Sequence, residues 1–265
     1  MSNISVTDLK KLYSQSTIAP QLDVELCYSG IHVKVNPLKV KDKKELLKSI
    51  ESKNGIIVNS VLDDIISKYV ETVDGSELNP HDLTTQERQQ ILVYIRVANG
   101  EDECKIAHQC PKCEFVNKNI AFKTNSLNEK KFEGERENTN VIIKNKDSQI
   151  VLELGVVTRR DEISGEEYIK KNKLKTMTDK QFAILATVIK NVHIKNGSDE
   201  PQTVEFKDIG EKIGFIENLK ASDLRVITEY VESLDFGVTL PFNFTCTSCG
   251  HESQEEVNVA VFFIS

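Results

Sequence analysis

Residues Cys110–Phe115 read CPKCEF, and residues Cys246–Glu252 read CTSCGHE. Each is a Cys-x-x-Cys pair, and the two lie more than a hundred residues apart. Each pair sits where one predicted strand turns into another, in ECKIAHQC-PKC-EFVNKNIAF and in VTLPFNFTC-TSC-GHESQEEVNV. Such a turn presents two thiolates to one metal. Two turns facing each other supply four thiolates in tetrahedral arrangement, which is a zinc ribbon. The expected ligands are Cys110, Cys113, Cys246 and Cys249. The expected zinc is structural, because four thiolates close the coordination shell and a catalytic zinc keeps one position open. Pro111 pre-sets φ in the first turn, and Gly250 permits the left-handed conformation that lets backbone N–H groups reach sulfur. Glu114 takes the place of that glycine in the first turn, which predicts a looser turn there.

Other readings of the thiols fit less well. A thioredoxin-like site needs its Cys-x-x-Cys at a helix start within a βαβ unit, and neither pair has that setting. Unmetallated, the pairs would leave four thiols open to oxidation. Cys104, His108 and His251 lie close to the pairs and are expected in supporting or surface positions. Cys27 falls in a predicted strand and reads as a small core or edge residue.

The chain has 265 residues, with 39% hydrophobic residues and a net charge of −7. That length allows one large domain or two modest ones with a true core. The net acidity disfavours nucleic acid as the main partner. The N-terminus MSNISVTDLKK lacks the basic-then-apolar layout of a signal peptide. No apolar run approaches the roughly 18 residues that span a bilayer, so no membrane is expected. A reducing cytosol and six cysteines point to metal binding rather than disulfides.

Around the two turns the chain reads as α+β. Leu22–Val35 alternates on either side of Ser29-Gly30 and predicts a β-hairpin, with Leu22, Val24 and Leu26 on one face and Ile31, Val33 and Val35 on another. Leu46, Leu47 and Ile50 predict a helix. Val61, Leu62, Ile65, Ile66, Tyr69 and Val70 predict a second. Thr84 and Glu87 form a capping box for a third, which Asn99-Gly100 stops. The stretch NSLNEKKFEGEREN reads as a polar loop or linker, and NVIIKNKDSQIVLELGVV as a hairpin turning near Lys146-Asp147-Ser148. Thr178 and Gln181 predict another capping box, with Met177 and Phe182 as its hydrophobic staple. Phe182, Leu185, Ile189 and Val192 then predict one helix ending at Asn196-Gly197. Helices are also expected over KDIGEKIGFIENL and over ASDLRVITEYVESLDFG, the latter with the stripe Leu224, Ile227, Val231 and Leu234 and a stop at Gly237. The charge runs TRRDE and NEKK read as solvated, and no catalytic motif stands out.

The expected architecture is therefore a zinc ribbon with split Cys-x-x-Cys knuckles, β-hairpins and a mainly helical insertion. Residues 1–100 form an N-terminal hairpin and helical region. Residues 101–124 and 238–265 form the discontinuous ribbon, and 125–237 the inserted hairpin and helical block.

The order of these pieces resembles a known family. An early VKVNPLKVKDKKELL is followed by ILVYIRVANGED, by CPKC leading into a short strand, and by VLELGVVTRRDE. The helical block and LPFNFTCTSCGHESQEEVNVAVFFIS complete the order. This layout is similar to the T4-like bacteriophage baseplate hub and hub-assembly proteins, the T4 base plate protein group. The resemblance implies a non-enzymatic structural or assembly protein of a contractile tail. Its partners would be other baseplate hub proteins and the tape-measure protein. It would reside in the virion baseplate, and in the host cytoplasm during assembly. Two alternatives stay open at this level: a zinc-ribbon nucleic-acid module, and a tail-assembly chaperone absent from the mature virion. The apolar end, Val257, Val259, Val261 and then Phe262-Phe263-Ile264, is read either as a core strand or as an edge that needs a partner.

Overall fold

A computed structural model of the chain describes residues 21–101, 103–123, 127–134, 138–144, 148–196 and 200–257. Among these residues the fold is mixed α+β, with seven α-helices and small antiparallel sheets. The N-terminal hairpin pairs β1 (Leu22–Glu25) with β2 (His32–Val35), and β3 (Val70–Thr72) adds to β2 as a third strand. Helix α1 (Val40–Glu51) and helix α2 (Gly55–Tyr69) lie between β2 and β3. The alternation seen in the sequence places Val24, Leu26, Val33 and Val35 in the core. Ile31 and Leu47 are exposed instead, and Val70 starts a strand rather than ending the second helix. Its β-branched side chain fits the pleat and fills the same core from the sheet.

Helix α3 (Thr85–Ala98) organises the molecule. Its capping box forms as expected between Thr84 and Glu87. Most of its surface is buried, including Glu87, Arg88, Gln90 and Arg96. Ile91, Leu92 and Ile95 join the first core, while Val93 enters the core of the Cys-bearing hairpins. A helix buried on nearly every side must satisfy its polar residues internally.

The charge runs supply part of this. Arg159, in TRRDE, is buried and not solvated. Helix α4 (Arg159–Lys171) starts there, capped by Thr158 and Asp161. Arg88 donates to Asp63 at 2.6 Å and to Glu162 at 3.3 Å. Arg159 donates to Asp63 at 3.2 Å, to Glu162 at 3.2 Å, and to both carboxylate oxygens of Glu166 at 3.0 and 3.3 Å. This network ties α2, α3 and α4 together. In NEKK, Glu129 accepts from Gln90 and Tyr94, and Lys130 and Lys131 pair with Asp235 and Glu25.

The stretch read as a polar loop contains β6 (Asn128–Lys130), paired with β11 (Gly237–Thr239). All three residues of β6 are exposed, so no alternation marks them as a strand. Helix α7 (Ala221–Ser233) stops ahead of Gly237, which opens β11. In α7, Ile227 is buried and Val231 is exposed.

Strands β7 (Thr139–Lys144) and β8 (Ser148–Leu154) form the expected hairpin, and residues 145–147 of its turn lie outside the described residues. The hairpin belongs to a four-stranded sheet in the order β10-β9-β8-β7. Here the single expected helix divides. Helix α5 (Met177–Val188) ends early, and β9 (Ile189–Asn196) continues as a strand beside β8, with β10 (Gln202–Val204) at its edge. Ile189 and Val192 fit helical spacing, but pairing with β8 offers this β-branched stretch a ladder. The cap of α5 is Thr176 with Asp179, two residues earlier than Thr178 with Gln181. Met177 is then the first helical residue and lies exposed, so it cannot act as a staple. Helix α6 (Ile209–Glu217), capped by Asp208, packs with α5 and α7 against the sheet.

Candidate metal centre

The two Cys-bearing turns join the expected strands. Strand β4 (Glu103–Gln109) pairs with β5 (Val116–Lys123), and β12 (Pro241–Thr245) pairs with β13 (Glu252–Glu256). Between the hairpins lies a core of Ile106, Phe122, Val238, Leu240, Phe242, Phe244 and Val257.

The turns are built alike. In the first, Cys110 N–H donates to Phe115 O at 2.9 Å and Glu114 N–H donates to Cys110 O at 2.9 Å. In the second, Cys246 N–H donates to His251 O at 2.8 Å and Gly250 N–H donates to Cys246 O at 3.0 Å. Glu114 adopts φ 59°, and Gly250 adopts φ 67°. The first turn is thus not looser. Its backbone takes the same left-handed step, and Glu114 bears the steric cost that glycine avoids.

The turns bring all four expected thiols together. The sulfurs of Cys110, Cys113, Cys246 and Cys249 lie within 4.8 Å of one another. Two of these contacts cross between the turns: Cys110 Sγ to Cys249 Sγ is 3.8 Å, across 139 residues, and Cys113 Sγ to Cys246 Sγ is 3.6 Å, across 133. Sulfurs at the corners of a tetrahedron with Zn–S bonds of about 2.3 Å lie about 3.8 Å apart. The cluster therefore has the dimensions of a four-thiolate metal site.

The surroundings favour thiolate at Cys246. Burial raises the pKa of this thiol. The N–H of Cys249, the Asn117 amide and the N–H of Ser248 outweigh that and hold it below the ordinary cysteine value. Cys110 and Cys246 are buried, while Cys113 and Cys249 face outward.

His108 and His251 do not belong to the cluster. The His108 ring stands edge-on to Phe242 and Phe244, with centroids 5.6 and 4.7 Å away. His251 contributes its carbonyl to the second turn. Cys27 is buried beside Val156 and Phe236, and burial together with the charge of Glu87 pushes its thiol up to about 12. It is a packed core residue. The side chain of Cys104 lies outside the described residues.

Sequence reasoning missed Asn117, a buried residue of β5 that reaches the second turn. Pro111 has no N–H at the second position of the first turn, whereas Thr247 has one in the second, but which residue accepts from it is decided by the fold and not by the local sequence.

A mixed α+β chain with a split pair of Cys-x-x-Cys hairpins and a sheet-and-helix block between them defines the class. The chain belongs to the T4 bacteriophage base plate protein family, whose match covers residues 16–264. No curated protein and no solved structure gives a significant match. No helix among the described residues is long and apolar enough to cross a membrane.

Proposed function

We propose that the chain is a non-enzymatic structural or assembly protein of a contractile-tail baseplate hub, stabilised by one structural zinc on Cys110, Cys113, Cys246 and Cys249. The observation that carries the zinc is the cross-turn sulfur spacing of 3.6 and 3.8 Å. Four thiolates leave no open position for water or substrate, which favours a structural role. Zinc here closes a loop of more than a hundred residues and joins the middle of the chain to its C-terminal part.

The chain is taken as three units: residues 1–100, the ribbon of 101–124 with 238–265, and the insertion of 125–237. Three apolar clusters follow this division, and a fourth, of Cys27, Val156 and Phe236, joins the first unit to the insertion. Of the three, one draws on residues from Val24 to Ile95, one on Val93 with the two Cys-bearing hairpins, and one on residues from Ile143 to Ile227.

Family membership supports other baseplate proteins as partners. The hub components and the tape-measure protein are the partners to test. Binding of co-expressed hub components to the full chain and to a chain lacking residues Phe262–Ser265 tests the C-terminal contact. Weaker binding with zinc content unchanged supports it, and equal binding removes it. Mass spectrometry of purified virions separates a resident subunit from an assembly factor that departs.

A further inference from the structure

We infer that Asn117 is the positioning residue of the four-cysteine centre, holding the second turn against the first so that Cys246 meets its partner thiols. This rests on the reading of the four cysteines as a metal site. Asn117 is buried, and each end of its amide has a defined task. Its Oδ1 accepts from Thr247 N–H at 2.8 Å and from the Thr247 hydroxyl at 2.8 Å. Its Nδ2 donates to Phe115 O at 3.2 Å, in the first turn, and to Cys246 Sγ at 3.6 Å, in the second. The backbone donor at Thr247 fixes which end is oxygen, so the N–H end must face the sulfur. One side chain thus bonds to both turns and to a ligand atom.

The need for it follows from a comparison of turns. The residue after the first Cys is Pro111 in one turn and Thr247 in the other. Only the second has an N–H to satisfy, and only the second receives an amide oxygen. The N-terminal hairpin closes through the same pattern: Leu26 N–H donates to Ile31 O and Gly30 N–H donates to Leu26 O, each at 2.9 Å. There the corresponding N–H, that of Cys27, donates to Gln90 Oε1 at 2.8 Å. Gln90 therefore does for a turn without a thiol pair what the oxygen of Asn117 does for Thr247. What Asn117 adds is the N–H directed at Cys246 sulfur. A donor there stabilises thiolate, fixes the sulfur's direction and offsets the negative charge of a four-thiolate zinc.

Asn117→Asp separates the two tasks. The carboxylate keeps the acceptor for Thr247 and replaces the donor facing sulfur with a negative oxygen. Zinc affinity of the full chain is measured by competition with a chromophoric chelator, and the ligand field by the thiolate-to-metal bands after cobalt(II) substitution. Asn117→Asp is expected to bind zinc about 10- to 100-fold more weakly, with altered cobalt bands. Gln90→Ala, the matching change at the N-terminal turn, is expected to keep the wild-type zinc affinity. Thr247→Pro removes the N–H that needs an acceptor, as Pro111 does in the first turn, and so guards against a variant that fails only for lack of that bond. Adding Thr247→Pro to Asn117→Ala should leave zinc binding weakened. Wild-type affinity in Asn117→Asp, or full recovery in the Thr247→Pro, Asn117→Ala pair, overturns the positioning role while leaving the metal centre standing. A wild-type chain that binds no zinc overturns both.

Discussion

Leu26–Ile31 and Cys246–His251 close through the same two backbone hydrogen bonds, yet their surroundings differ. In the second, Cys246 and Cys249 meet Cys113 and Cys110 from a distant part of the chain. In the first, Leu26 and Ser29 occupy the two cysteine positions, and helix α3 does the holding. Gln90 accepts from Cys27 N–H, and Glu87 Oε1 accepts from Ser29 N–H at 2.7 Å. Leu26 itself is buried in a core of Val24, Val33, Ile66, Ile91 and Ile95. The turn shape therefore does not require a metal. The N-terminal hairpin rests on a helix-backed apolar core. The two Cys-bearing hairpins are two-stranded, and paired strands of that size are marginal on their own. They share a small core that includes Val93 of α3, and the thiol cluster is placed to join them a second time at their turns.

The comparison is broken most directly at Cys246. Cys246→Ser removes one ligand and is expected to forfeit much of the roughly 10 kcal/mol that a structural zinc supplies. Limited proteolysis should then cut the β12–β13 hairpin first, while fragments containing Leu22–Ala98 persist. Chelation of wild-type protein should give the same cleavage pattern and a lower melting temperature. An unchanged melting curve after verified zinc removal contradicts this.

On the other side of the comparison, Asp63→Ala leaves two buried guanidinium groups short of a carboxylate. It is expected to cost about 3–5 kcal/mol with zinc content unchanged. Denaturant unfolding with metal analysis of the same sample checks both halves. Glu87→Ala removes the acceptor for Ser29 N–H and half of the Thr84 capping box, and is expected to cost roughly 2–4 kcal/mol, again without zinc loss. If Glu87→Ala releases zinc, the two regions are not independently held.

The smallest effect is a gain. Glu114 stands at φ 59°, where Gly250 stands at 67° in the matching turn. Glu114→Gly should relieve the left-handed strain and raise stability by up to about 1 kcal/mol, the added freedom of the unfolded chain limiting the gain. Gly250→Ala should lose a similar amount. Melting temperatures of the two zinc-loaded variants give the comparison, and a loss in Glu114→Gly would mean that the glutamate side chain contributes a contact.

The four-cysteine cluster was legible in sequence because a Cys-x-x-Cys between alternating strands is a local pattern with a short list of uses. The N-terminal hairpin, α2 and the cap of α3 were legible for the same reason. What escaped depends on partners distant in sequence. Ile189 and Val192 suit either a helix or a strand until β8 lies alongside. The exposed β6 becomes a strand through β11. Arg159 sits in a run of charges that looks solvated, and only the approach of Asp63 and Glu166 makes its burial tolerable. Asn117 carried no signal of its own, since an amide in a polar strand is ordinary until the Thr247 N–H is placed opposite.

The central claim is that one metal joins two distant turns, and native mass spectrometry of the purified chain tests it. The account predicts one zinc per wild-type chain and none after Cys110→Ser and Cys246→Ser are combined, each variant removing a ligand from a different turn. A wild-type chain without zinc, or a double variant that keeps its full zinc, would contradict it.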